Sequence, residues 1–376
     1  MIRKNNYKKI IYLSPVKWNS FSQRPHHFVS WFHSRTGGQV YWIDPYPTRL
    51  PRLKDLKIIF KNRSQSKFNK NYSWLKLLKI YALPIEPLDP LSKINNIFWT
   101  QTKIRIDNFI KDSEYLIVIG KPSIFSISLL DRLKPKFSIY DSMDDFPLFC
   151  EGISSKKMRI NENIIASKVN KIICSSKNLN KKWDKYKNKI IFIKNGLNEN
   201  NNNKEFFPDL RTNKIQFVFG YIGTIGKWFD WDWIINLCTI RPKDKIVLIG
   251  DIHFFYKGLM PSNLYLYPPI NHEKVNEAIS SFDIGLIPFK VNTLTESVDP
   301  IKYYEYIGCG LPIVSTNFGE MKYRQIDKGV FISKKIDDVA KQINKALKFK
   351  FSSGYVETFK KKENFINKLD IMLSDY

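Results

Sequence analysis

The sequence contains no apolar run approaching the roughly 18 to 20 residues that span a bilayer, so it is read as a chain without a transmembrane helix. A secretory leader is not expected either: the IIYL after the basic start is far shorter than a signal h-region and reads as a first strand. Cysteine is scarce, with Cys150, Cys174, Cys238 and Cys309 far apart and without paired spacing. Neither a zinc site nor a disulfide framework is expected, and a reducing cytoplasm is the natural home. Acid is the remaining shortage, since 61 Lys and Arg stand against 35 Asp and Glu, a net charge of +26. Such a charge calls for an anionic partner or a compositional cause. Abundant Lys, Asn and Ile suggest a bias that spreads lysine over any solvated surface. The distribution says more: from Arg49 to Ile80, ten Lys or Arg meet the single acid Asp55, interleaved with Phe60, Phe68, Tyr72 and Trp74. The usual DNA- and RNA-binding signatures are missing, so no nucleic acid partner is expected. Basic and aromatic residues together suit an anionic membrane surface or a lipid-diphosphate acceptor, a merely solvated face being the plainer alternative.

What is present is enough for two cores. At 376 residues with 43% hydrophobic content, two α/β domains of about 150 to 200 residues each fit the length. Short apolar runs alternate with helical patterns. Residues 8–14 (KKIIYLS), 39–44 (QVYWID), 114–120 (EYLIVIG), 171–176 (KIICSS) and 189–196 (KIIFIKNG) read as buried parallel strands. LKIIF and KIYALP, on either side of the basic segment, are expected as further strands, and a helix is expected over 91–111. The asparagine-rich stretch after Asn195 reads as an interdomain linker. The expected division is 1–196 as a first domain, 197–213 as linker, 214–354 as a second domain and 355–376 as a terminal helix.

The chemistry gathers at strand ends. In residues 283–320, DIGLIPF reads as a strand, a polar loop follows, and Asp299 and Pro300 are placed as N-cap and first-turn proline of the helix IKYYEYI. A helix starting at the carboxyl end of a parallel strand presents unpaired N–H groups to a phosphate. Lys302 adds a positive charge, and Glu305 offers two acceptor oxygens of the kind that grip a ribose diol. After the strand IQFVFGYIG, the string GTIGKWFDWD carries Gly223, Gly226 and Lys227, which suit a diphosphate although the string is neither a P-loop nor a full G-x-G-x-x-G. In the first half, Arg24, His26 and His27 fall in the first turn of a helix, and Asp141, Asp144 and Asp145 crowd the end of the strand in KFSIYDSMDD. Acids so close raise one another's pKa; helix capping and a satisfied histidine are the bland alternatives.

The segment PIKYYEYIGCGLPIVST resembles the nucleotide-binding signature of GT-B glycosyltransferases, and YD-x-x-DD resembles a motif of their teichuronic-acid and xanthan-type group. The resemblance implies a fold of α/β class: two Rossmann-like domains facing each other across a cleft, with a C-terminal helix crossing back to the first. It implies Glu305 as the ribose ligand, Lys302 and the Ile301 amide at the diphosphate or sugar, and Ile270 and His272 near the base, with Gly223 and Lys227 completing the donor site. Where retaining members carry a Glu eight residues before the ribose Glu, this chain has Ser297, with Glu296 beside it, which tilts the expectation toward inversion. An inverting transfer needs a base on the acceptor side, for which Asp141 is favoured and His27 is the alternative, Arg24 and His26 being assigned to the acceptor.

The expectation is therefore a cytoplasmic enzyme, peripherally bound to the inner face of the membrane. It moves a sugar from a UDP- or GDP-sugar to a lipid-linked or glycan acceptor in bacterial surface polysaccharide synthesis. No cofactor or metal is expected beyond the nucleotide sugar itself. A nucleotide-sugar epimerase of the same fold, or a non-catalytic lipid- or nucleic-acid-binding protein, is the alternative.

Overall fold

A computed structural model describes residues 7–20, 23–50, 72–111, 113–197, 216–271 and 274–372. The chain forms two compact units, one made of residues 1–175, 179–193 and 369–376, the other of 176–178 and 194–368.

The first unit is built on a parallel sheet of seven strands: β1 (Lys9–Leu13), β2 (Gln39–Ile43), β3 (Leu75–Leu78), β4 (Tyr115–Ile119), β5 (Phe137–Ser142), β6 (Lys171–Cys174) and β7 (Ile190–Phe192). Their order is β3-β2-β1-β4-β5-β6-β7. Valine, isoleucine and leucine dominate because helices cover both faces, which leaves little room for polar alternation. Ile11, Ile117, Ile119, Tyr140 and Ile172 lie in one core with Trp99 and Trp183. The expected strand LKIIF lies outside the described residues. KIYALP is not a strand. Its place beside β2 is taken by LKLL, paired from Val40↔Leu75 to Ile43↔Leu78. The backbone N–H and carbonyl of Leu83 turn instead to the Asn95 side chain, at 2.8 and 3.1 Å.

The second unit carries six parallel strands: β8 (Val218–Ile222), β9 (Lys245–Ile249), β10 (Leu264–Tyr267), β11 (Ile284–Ile287), β12 (Ile313–Thr316) and β13 (Val330–Ser333). Their order is β10-β9-β8-β11-β12-β13. Strand order thus reverses between β1 and β4 in one unit and between β8 and β11 in the other, the switch points outside which open α/β sheets bind ligands. Of the expected linker, Leu197 is described and the rest lies outside the described residues. Leu197 inserts between Glu363 and Phe365, donating its N–H to the Glu363 carbonyl at 2.8 Å and accepting from the Phe365 N–H at 2.8 Å. That insertion divides the expected terminal helix into Tyr355–Lys362 and Phe365–Leu369.

Candidate functional site

In the second unit the helix Ile301–Gly308 follows β11 directly after a long loop. Its N-cap is Pro300, in extended backbone, and no side chain caps it. This corrects the expectation that Asp299 would be the cap. Asp299 is buried and turned to Arg324, which pairs with its Oδ1, while the Tyr304 hydroxyl donates to its Oδ2 at 3.0 Å and the Asn195 N–H at 2.7 Å. The Arg324 guanidinium also lies 3.6 Å from the centre of the Tyr303 ring. A buried carboxylate needs a full set of partners, and among the described residues Asp299 finds its ion-pair partner, Arg324, outside the helix. The first-turn N–H groups are consequently left uncovered by side chains and carry the positive end of the helix dipole.

Lys302 stands on that first turn and Glu305 one turn on, with Lys302 Nζ 2.7 Å from Glu305 Oε2. Both are largely sheltered. The helix is pulled against the end of β8 because the Ile222 N–H donates to the Tyr306 hydroxyl at 3.1 Å. Gly285 in β11 makes room for it, since a Cβ there would stand 2.3 Å from the Tyr306 ring.

Gly223, just past β8, has a φ of +151°. A Cβ at Gly223 would lie 2.8 Å from Tyr221 Oη and 3.4 Å from Lys302 Cε, and one at Gly250 would lie 2.2 Å from the Gly223 carbonyl oxygen. The glycine turn and the helix start are therefore in contact at the switch point between β8 and β11. Lys227 is exposed on the turn that follows, which is stitched to the loop after β11 by Asp230 N–H to the Pro288 carbonyl and Lys290 N–H to the Trp228 carbonyl, 2.8 and 2.7 Å. Of the candidate donor residues, Gly223, Lys227, Ile301, Lys302 and Glu305 are brought to one edge of one sheet. Ile270 is partly buried against the core of this unit, and His272 lies outside the described residues. Ser297 is buried, and Glu296 is paired with Lys322.

The first unit places its candidates differently from expectation. Asp141 lies within β5 rather than beyond it, paired in register with Ile173, and is wholly buried. It accepts from Arg24 Nε at 2.9 Å and from the Tyr12 hydroxyl at 3.1 Å. Arg24, expected at the acceptor, is itself buried and donates from Nη1 to the Ile193 carbonyl at 2.9 Å. His26 is held at both ring nitrogens, with the Gln23 N–H donating to Nδ1 at 3.2 Å and Nε2 3.0 Å from the Trp18 carbonyl oxygen. Its ring is packed between Trp18 and Trp42, at 5.0 and 4.8 Å between centres. Thus Arg24 and His26 hold the unit together, and neither presents a side chain to solvent. His27 is also buried.

The acid that keeps access is Asp144. It is partly exposed, makes no hydrogen bond or ion pair with a described residue, and its carboxyl is pushed up to about 7. Desolvation is the main cause, the Asp141 and Asp145 charges add to it, and Arg24 opposes them. Asp145 is held by Lys182 Nζ at 2.8 Å.

Arg324, Gly250, Gly285 and Tyr306 were not found by sequence reasoning. The glycine in KIVLIGD was visible, but nothing local announced Arg324, whose carboxylate partner is remote in sequence.

No family model matches the chain. Over 219 residues it is 26% identical to TuaH of Bacillus subtilis (strain 168), a protein assigned by name to teichuronic acid biosynthesis as a glycosyltransferase, and the match covers 53% of each chain. The chain therefore spans about half the length of that relative. Likeness to solved structures extends over nearly all of it. Sucrose-phosphate synthase from Thermosynechococcus elongatus superposes with a TM-score of 0.64 at 11% identity, covering 98% of this chain and 95% of that one. Anabaena HepE, solved in complex with UDP and glucose, gives 0.61 at 12% identity, covering 97% and 98%. The lipopolysaccharide outer core galactosyltransferase WaaB gives 0.57 at 10% identity, covering 96% and 98%. Two parallel sheets with reversed strand order, a glycine turn against an uncapped helix and these likenesses agree: the chain has the GT-B fold of the glycosyltransferases it resembles.

Proposed function

We propose that this protein is a glycosyltransferase that moves a hexose-type sugar from a nucleotide diphosphate sugar to a lipid-linked or glycan acceptor in the synthesis of a bacterial surface polysaccharide. One observation carries the reading: the uncapped start of the Ile301–Gly308 helix lies against Gly223, with Lys302 of its first turn paired to Glu305 one turn on. A diphosphate laid at that helix start meets N–H groups and the Lys302 ammonium, and Lys227 is exposed on the adjoining turn. Glu305, released from Lys302, accepts from the two ribose hydroxyls. The same charges stabilise the diphosphate as it departs, so the transfer is proposed to run without a metal. TuaH supports the polysaccharide role by its name, and HepE was solved with UDP.

We infer an inverting transfer with Asp144, in place of Asp141, as the base that takes the acceptor's proton. A base must reach its substrate, and Asp141 is enclosed by Arg24 and Tyr12. The enzyme is proposed to work at the cytoplasmic face of the membrane; no described helix is long and apolar enough to cross one. The basic segment proposed as the membrane contact lies mostly in residues 51–71, outside the described residues. Incubation with a panel of UDP- and GDP-sugars, with and without bacterial membranes, tests the reading through nucleotide release. Release that needs both one nucleotide sugar and membranes supports it. Conversion of free donor without release indicates an epimerase.

A further inference from the structure

We propose that the outer faces of the Asn95–Ile110 and Gly152–Lys168 helices form the surface by which this protein seats on an anionic lipid bilayer. The proposal rests on the reading of an enzyme with a membrane-borne acceptor, and it names the contact.

Trp99, Ile106 and Phe109 of the helix Asn95–Ile110 point into the core of the first unit. Away from that face Ile94, just before the helix, and Ile97, Phe98 and Ile104 on it are exposed among Gln101, Arg105 and Asn108, Ile97 at 75% and Phe98 at 46%. Large apolar side chains set among polar and basic ones on the outer face of a helix are the pattern of an interfacial helix. The second helix repeats the feature, with Ile153 57% and Ile160 52% exposed on one row. Both helices pack against the Ile124–Leu133 helix, Asp107 of the first pairing with its Arg132 and Lys168 of the second with its Asp131, and Lys157 of the second also pairs with Asp89, shortly before the first begins.

Charge selects the occupant. The exposed side chains interleaved with these rows include Lys93, Arg105, Lys156 and Arg159. Residues 91–110 and 152–168 contain two acids, Asp107 and Glu162, and both are neutralised, by Arg132 and Lys182. Large apolar side chains ringed by cations without free acid match a bilayer interface, where the apolar groups enter the acyl boundary and the ammonium and guanidinium groups meet lipid phosphates. A second copy of the same face would set cation against cation.

Co-sedimentation of the whole protein with vesicles tests the proposal. Wild type is expected to bind equimolar phosphatidylglycerol and phosphatidylcholine vesicles and to bind phosphatidylcholine alone weakly. Ile97→Glu with Phe98→Glu should lower binding to the anionic vesicles about tenfold or more, at unchanged melting temperature. Ile153→Glu with Ile160→Glu, on the other helix, should act in the same direction. If the first double variant binds as wild type does, the surface is wrongly assigned, although the enzyme still works at a membrane. If wild type ignores both vesicle types while releasing nucleotide with a soluble acceptor, the membrane reading itself falls. A wild-type dimer that these changes make monomeric would name a second copy as the occupant and overturn the proposal.

Discussion

Lys302 Nζ lies 2.7 Å from Glu305 Oε2, one turn apart on a helix whose start no side chain caps. The pair holds both proposed donor ligands in place and keeps each partly neutralised. Glu305→Ala is expected to weaken binding of the cognate nucleoside diphosphate by about 1.5 to 3 kcal/mol, the worth of a charge-assisted hydrogen bond to ribose. Calorimetry with UDP and GDP measures this. Unchanged affinity for both would remove Glu305 from the donor site.

Gly223→Ala should strain a turn at φ +151° and press a methyl group against Tyr221 Oη and Lys302 Cε. The expected loss of stability is about 1 to 3 kcal/mol, with reduced nucleotide affinity. Gly37→Ala serves as the control, because that glycine is also at positive φ but has nothing within 4 Å of an added Cβ. Equal nucleotide affinity in the two variants would show that the Gly223 turn does not touch the donor.

Breaking the Asp299–Arg324 pair from one side should destabilise the second unit by about 3 to 5 kcal/mol, since the remaining buried charge is left uncompensated. Arg324→Met is expected to lower the melting temperature of the second unit's transition in calorimetry and leave that of the first unavoidably less affected. If Asp299 were the helix cap, Arg324→Met would instead be mild and Asp299→Ser well tolerated.

Asp144→Asn is expected to lower kcat by about 10² or more while nucleotide affinity stays nearly constant. The carboxyl is at about 7 and acts as a base only when ionised, so wild-type kcat should rise with pH through about 7 and the variant's profile should be flat there. A variant with wild-type turnover would exclude Asp144 as the base.

Glu86 supplies a separate pH effect. It is buried, its Oε1 accepts from the Ile124 N–H at 2.9 Å and from Asn161, the Tyr46 hydroxyl donates to Oε2, and desolvation raises its carboxyl to about 7. A raised folded value means that the native state holds the proton more tightly than the unfolded chain. The associated stability is full below about 4.5 and is lost as pH rises through about 7, on the order of 3 kcal/mol in all. Glu86→Gln should remove this slope, which denaturant midpoints at pH 5 and pH 8 will show; an unaltered slope would place the titration elsewhere.

The sequence by itself determined most of the strands, though not β3, together with their parallel arrangement and the place of the Ile301–Gly308 helix. Those features are written locally: DIGLIPF and LPIVST are apolar runs of strand length, and Gly310, at a φ of +74°, follows the C-cap of the Ile301–Gly308 helix. Lys302 and Glu305 are legible for the same reason, being spaced within one turn. Only the tertiary structure decided which carboxylates are available. Asp141 and Asp144 look alike as letters, yet one lies inside β5 under Arg24 and Tyr12 while the other keeps contact with solvent. Asp299 reads as a cap because aspartate before proline usually is one, but a cationic side chain 25 residues away competes for it more strongly than the helix N–H groups do. His26 likewise reads as a site residue until both ring nitrogens are seen to be bonded to backbone. Burial and long-range charge pairing depend on which segments the fold brings together, and no local pattern encodes them.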